Sequence, residues 1–124
     1  MAPSRPIFDV TEDTSGRYFA KLIDEFGLGI PAASMNSVTL TLYDTASQTI
    51  INNRDAQNVL NLNQVTIDGE GNLVWLWLPL DMPRLHDTRA PETHTGLWTV
   101  VWNGGNSQIL HEISFRVHRV TFPA

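Results

Sequence analysis

His86 and His94 share one proline-rich segment, 79–96, with Asp81, Asp87 and Glu92. Imidazole and carboxylate together suit zinc, nickel or manganese, so a metal would be sought here first. The spacings match no established ligand pattern, however, and Pro79, Pro83 and Pro91 mark a loop, which rarely holds ligands rigidly. No metal and no cofactor are therefore expected. His111 falls in phase with an apolar strand face, which predicts a partly buried, hydrogen-bonded ring, and His118 is expected in solvent. Cysteine is absent, which removes disulfides, thiolate chemistry and sulfur-ligated metal sites together. There is no Gly-x-Ser-x-Gly elbow, no phosphate-cradling loop ending in Lys-Ser/Thr and no Gly-x-Gly-x-x-Gly; Gly27-x-Gly29 ends a strand with no helix after it. No pair of carboxylates is singled out for glycoside chemistry. The chain is expected not to be an enzyme.

Four tryptophans are the other residues with chemical potential, because an exposed indole face stacks on sugar rings. Trp98 and Trp102 share a strand face with Val100, which reads as core. Trp75 and Trp77 are in phase with Leu73, and their expected place is the core or a subunit contact, where tryptophan is enriched among hot spots.

These residues sit on a chain that reads as strands and turns. Ser37 to Asp44 alternates Val38, Leu40 and Leu42 with Thr39, Thr41 and Tyr43, the pattern of a half-buried antiparallel strand. Arg17 to Phe26 alternates less cleanly, with Tyr18, Ala20 and Leu22 on one face. Asp68-Gly69-Glu70-Gly71-Asn72 is a hairpin turn signal. Leu73 to Leu78 is apolar throughout, so one face, Leu73/Trp75/Trp77 or Val74/Leu76/Leu78, is left for an arm, a loop or another subunit to cover. Trp98, Val100 and Trp102 mark a strand, as do Ile109, His111, Ile113, Phe115 and Val117. Thr49 to Asn53 and Asn58 to Leu62 are short asparagine-rich pieces around an Arg54-Asp55 expected to be exposed. Residues 1–16 read as an N-terminal arm anchored by Ile7, Phe8 and Val10 and poorly ordered in isolation. The rest, 17–124, forms one domain: an all-β antiparallel sandwich of immunoglobulin-like type with about seven or eight short strands, a small barrel or jelly roll being the alternative.

The 42% apolar and 17% charged composition suits a domain with a real core. The net charge of −5 argues against nonspecific nucleic-acid binding, and no apolar run is long enough to span a membrane. The start, Met1 to Pro6, has no apolar run after its Arg, so no secretory signal is expected.

The stretches Ser37–Asp44, Ile50–Asn61, Asp68–Trp75 with Pro79-Leu80-Asp81, and His94 through Gly105 resemble small immunoglobulin-like structural proteins of tailed bacteriophages, of the head-decoration or head–tail type. The most distinctive piece is Ile51-Asn52-x-Arg54-x-x-Gln57-Asn58-Val59-Leu60-Asn61 followed by the Asp68 turn. The resemblance spans about residues 17 to 120 and omits the loop 82–93. It implies a virion structural protein, foremost a capsid decoration or cement subunit on the major capsid lattice, with a neck, tail or baseplate adaptor as the alternative. The setting would be the virion, and host cytoplasm during assembly. Partners would be other virion proteins, in a homo-oligomer or in many copies, with no nucleic acid and no membrane. A carbohydrate or host-surface binding module is the rival class. Partner contacts are expected from Arg84, Arg89, His86 and His94 of the loop, from Trp75 and Trp77, and from Ile7 and Phe8 of the arm.

Overall fold

The computed structural model describes residues 7–86 and 90–120. Within them the chain forms β1 (Ile7–Thr11), β2 (Gly16–Lys21), β3 (Met35–Asp44), β4 (Gln57–Asn58), β5 (Val65–Ile67), β6 (Asn72–Trp77), β7 (Glu92–Trp102) and β8 (Ser107–His118), with single 3-10 turns at Ala32–Ser34 and Pro79–Asp81. One sheet has five strands in the order β1-β8-β7-β3-β4, the other three in the order β2-β6-β5. All neighbours are antiparallel except β1, which runs parallel to β8. The chain is an all-β sandwich, as the alternation predicts.

The long β3–β7–β8 ribbon supplies one wall of the core. Val38, Leu40 and Leu42 of β3, Trp98 and Val100 of β7, and Ile113, Phe115 and Val117 of β8 all point inward and are buried. Period-2 alternation makes this possible: each inward residue is separated from the next by one facing out. The opposite wall comes from Tyr18 and Leu22 on and after β2, Val65 and Ile67 of β5, and Leu73, Trp75 and Trp77 of β6. The walls meet in an aromatic cluster. Trp75 packs edge-on against Trp98 at 5.5 Å and Phe115 at 5.8 Å, and Trp77 against Phe115 at 5.5 Å, geometries that suit the ring quadrupole.

The Asp68 turn closes the β5–β6 hairpin as predicted. Asp68 Oδ1 accepts from the backbone N–H of Glu70 and of Asn72, and Gly71 adopts a φ of +82°. A Cβ at Gly71 would also lie 2.6 Å from the carbonyl oxygen of Leu22, so only glycine fits.

Three boundaries differ from the sequence reading. The expected arm 1–16 contributes a strand: Ile7–Thr11 pairs in register with Ser114–His118, and Phe8 packs on Tyr18 and Phe115. Pairing with β8 holds this segment in place despite its few apolar residues; residues 1–6 lie outside the described part. Strand β2 ends at Lys21, five residues early, and the chain beyond turns back through the Ile23–Gly29 bridge, with Leu22 donating to the Gly71 carbonyl and Ile30 to that of Leu22. Strand β7 starts at Glu92, inside the segment read as loop to Gly96, because Glu92 and His94 occupy inward positions that the apolar pattern does not reveal.

Candidate functional site

Two buried polar clusters and one exposed apolar face stand out. The first cluster is built by the asparagine-rich segment between β3 and β5. Asn52, Asn53, Asn61 and Asn63 all take positive φ, which asparagine tolerates better than most residues, and the resulting tight path folds Arg54 inward. Arg54, expected in solvent, is 1% exposed. Its Nε donates to Asp81 Oδ1 at 2.6 Å and its Nη2 to Oδ2 at 3.0 Å, while Gln57, Gln64 and the Asn63 carbonyl accept the other N–H groups. The guanidinium carbon lies 5.5 Å from the Trp75 ring centroid. Asp81 also accepts from Asn52 Nδ2 and from the Leu78 N–H. Donors and acceptors are matched throughout, as a structural buried ion pair requires. Asp81 is thereby removed from any shared site with His86 and His94.

The second cluster is at the end of the β3–β7 ladder. The register puts Asp44 directly opposite His94, and Glu92 is two residues before His94 on the same inward face. All three side chains are buried. His94 Nε2 is 2.7 Å from Glu92 Oε2 and 3.8 Å from Asp44 Oδ1. The other oxygen of Asp44 is 2.8 Å from Nε2 of His86, whose side chain is 41% exposed. The carboxylates are fixed from behind. Asp44 accepts from the Ser47 N–H at 2.9 Å and hydroxyl at 2.6 Å; Glu92 accepts from the Leu85 and His86 N–H groups and has Arg84 Nε at 3.4 Å. Burial pushes both carboxyls up, but these hydrogen bonds outweigh it and hold both below their ordinary values. The hydrogen bond to Asp44 raises His86. His94 Nδ1 is buried with no hydrogen-bond partner among the described residues.

The exposed face is the outer side of the three-stranded sheet. Phe19 of β2 is opposite Val74 of β6, and Arg17 opposite Leu76. Phe19 is 63% and Leu76 47% exposed, Leu78 continues the face beyond β6, and Arg17 and Lys21 flank Phe19 along β2. Neither β1 nor any described loop buries Phe19 or Leu76.

The expected interface residues divide sharply. Trp75 and Trp77 are core, so they are corrected from partner contacts to the inner wall, and with Trp98 also buried, three of the four tryptophans offer no face to a sugar. His94 is fully buried because its partners are Asp44 and Glu92. Arg84 is turned inward onto Glu92 and the carbonyls of Ala90, Val117 and His86. Phe8 is half-buried against Tyr18 and Phe115; Ile7 and His86 remain accessible. Asp87 and Arg89 lie outside the described residues. His111 is half-buried and bonded to the Tyr18 hydroxyl, as its phase predicts, whereas His118 bonds Asp9 at 2.7 Å. Asp44 and Phe19 are the residues sequence reasoning missed. Asp44 continues the Val38/Leu40/Leu42 phase by two, which was a readable signal; Phe19 carried none, since both faces of its strand are mixed. No family model, curated protein or solved structure matches the chain.

Proposed function

We propose that this chain is a structural subunit of a tailed-bacteriophage particle, a decoration or cement subunit on the major capsid lattice, that docks through the outer face of its three-stranded sheet. The observation that carries the proposal is the uncovered apolar pair Phe19 and Leu76 on a regular sheet surface whose other side is fully packed. Contiguous exposed apolar surface with a polar rim marks interaction sites. The rim gives the partner its chemistry: Arg17 and Lys21 are cations on a chain of net charge −5, so the complementary surface is apolar at its centre and acidic at its edge. The resemblance of the Ile51–Asn61 and Asp68–Trp75 segments to phage head proteins of immunoglobulin-like type supplies the setting.

The test is retention of the purified chain on phage particles that lack it. Wild-type protein is expected to co-sediment saturably, and Phe19→Asp with Leu76→Asp to lose retention more than tenfold at unchanged melting temperature. Retention of the double variant at the wild-type level would overturn the docking face. Failure of wild-type chain to bind any particle, combined with glycan binding, would replace the proposal with the host-surface module.

A further inference from the structure

The geometry points to Asp44, Glu92 and His94, with His86 at the solvent edge, as a binding site for one divalent transition-metal ion of the zinc class. The cluster is separate from the docking face. The assembled donor set is one imidazole nitrogen and two carboxylates, with a second imidazole beside Asp44, the nitrogen–oxygen chemistry that zinc accepts. Bonds of about 2.0–2.1 Å to a tetrahedral ion separate its ligand atoms by roughly 3.3–3.4 Å. One ligand atom each from Asp44, Glu92 and His94 already lie within 4.8 Å of one another, and the His94 Nε2 distances of 2.7 and 3.8 Å bracket that separation. His86 lies outside that group of three, with its Nε2 2.8 Å from the other oxygen of Asp44, and its half-exposed ring at the solvent edge would supply a fourth ligand by turning inward.

The surroundings are those of a prepared site. Ligating carboxylates are normally oriented by a second layer of hydrogen bonds, and here Ser47 holds Asp44 while Leu85, the His86 backbone and Arg84 hold Glu92. Both carboxylates are thus fixed with one oxygen toward His94 Nε2. The set is drawn from β3, β7 and the loop before β7, with Asp44 forty-two residues from His86, which is why no local spacing announces it.

The experiment uses the full chain, stripped with chelator and dialysed, then titrated with Co²⁺ and Zn²⁺. One equivalent of Co²⁺ is expected to bind with the intense visible bands of a four-coordinate ion, to be displaced by Zn²⁺, and to raise the melting temperature. His86→Ala, a change at an accessible ring that leaves the core untouched, should weaken binding at least tenfold; Asp44→Asn should do so more strongly if it folds. His118→Gln, which alters the surface pair with Asp9, should change nothing. Absence of stoichiometric binding, or binding that survives His86→Ala but falls with His118→Gln, would overturn the assignment.

Discussion

Strand β6 has two apolar faces with different roles. Leu73, Trp75 and Trp77 are buried and join the two sheets; Val74 and Leu76, one residue out of phase, face away from the core, and Leu76 stays 47% exposed. Hydrophobicity alone does not separate them, since leucine stands on both. The difference is made by partners: the inner row meets Trp98 and Phe115 across the sandwich, while the outer row has lateral neighbours alone, Phe19 and Arg17 on β2 and Thr66 on β5. An apolar residue belongs to the fold when an opposing wall exists, and is free to belong to an interface when none does.

The two polar clusters repeat the contrast in another chemistry. Around Arg54 and Asp81 each charged N–H finds an acceptor and each carboxylate oxygen a donor. Around His94, two carboxylates converge on one buried ring whose second nitrogen has no partner among the described residues. The matched cluster is scaffold. The other has the character of a site, because ligand atoms of Asp44, Glu92 and His94 lie within 4.8 Å of one another.

The sharpest way to break the comparison is inside the core. Trp75→Ala should cost about 3–5 kcal/mol in urea unfolding, since the indole is fully buried between Trp98, Phe115 and Arg54. Asp81→Asn should cost about 3 kcal/mol or more, because it leaves the Arg54 charge buried without a counter-ion, and Arg54→Met in the same chain should recover part of the loss. A smaller effect is expected from pH. Burial lowers His111 below its ordinary value, so the unfolded chain takes up the proton first. The His111 contribution should therefore hold above about pH 6.5 and be lost as the pH drops below it, opposed by the raised His86, so the loss of melting temperature on the acid side should shrink in His111→Gln and grow in His86→Ala. Burial of the Tyr18 phenol, pushed up to about 12, keeps the hydroxyl protonated throughout that range. The smallest stability effect belongs to the outer face: Leu76→Asp should shift unfolding by no more than about 0.5 kcal/mol, as exposed substitutions do.

The sandwich was legible because β3, β7 and β8 alternate cleanly at Val38/Leu40/Leu42, Trp98/Val100 and Ile113/Phe115/Val117. The site residues were not, for reasons that lie in tertiary structure. Arg54 is hidden by Asp81, which meets it from a distant turn, and a charged side chain in an asparagine-rich segment reads as solvated until that partner is placed. Glu92 and His94 interrupt the apolar phase of β7, so a strand there looks like the end of a loop. β1 has too few apolar residues to read as a strand, yet backbone pairing with β8 makes it one. The choice between the faces of β6 was open because it depends on where the second sheet lies.

The central claim is that the outer face of β2 and β6 is an assembly surface, and a cryo-EM reconstruction of the particle carrying this chain tests it most directly. The account predicts Phe19 and Leu76 packed against a neighbouring subunit, with Arg17 and Lys21 within reach of its carboxylates. Density for the chain in which that face looks into solvent, while another surface makes the contacts, would contradict it.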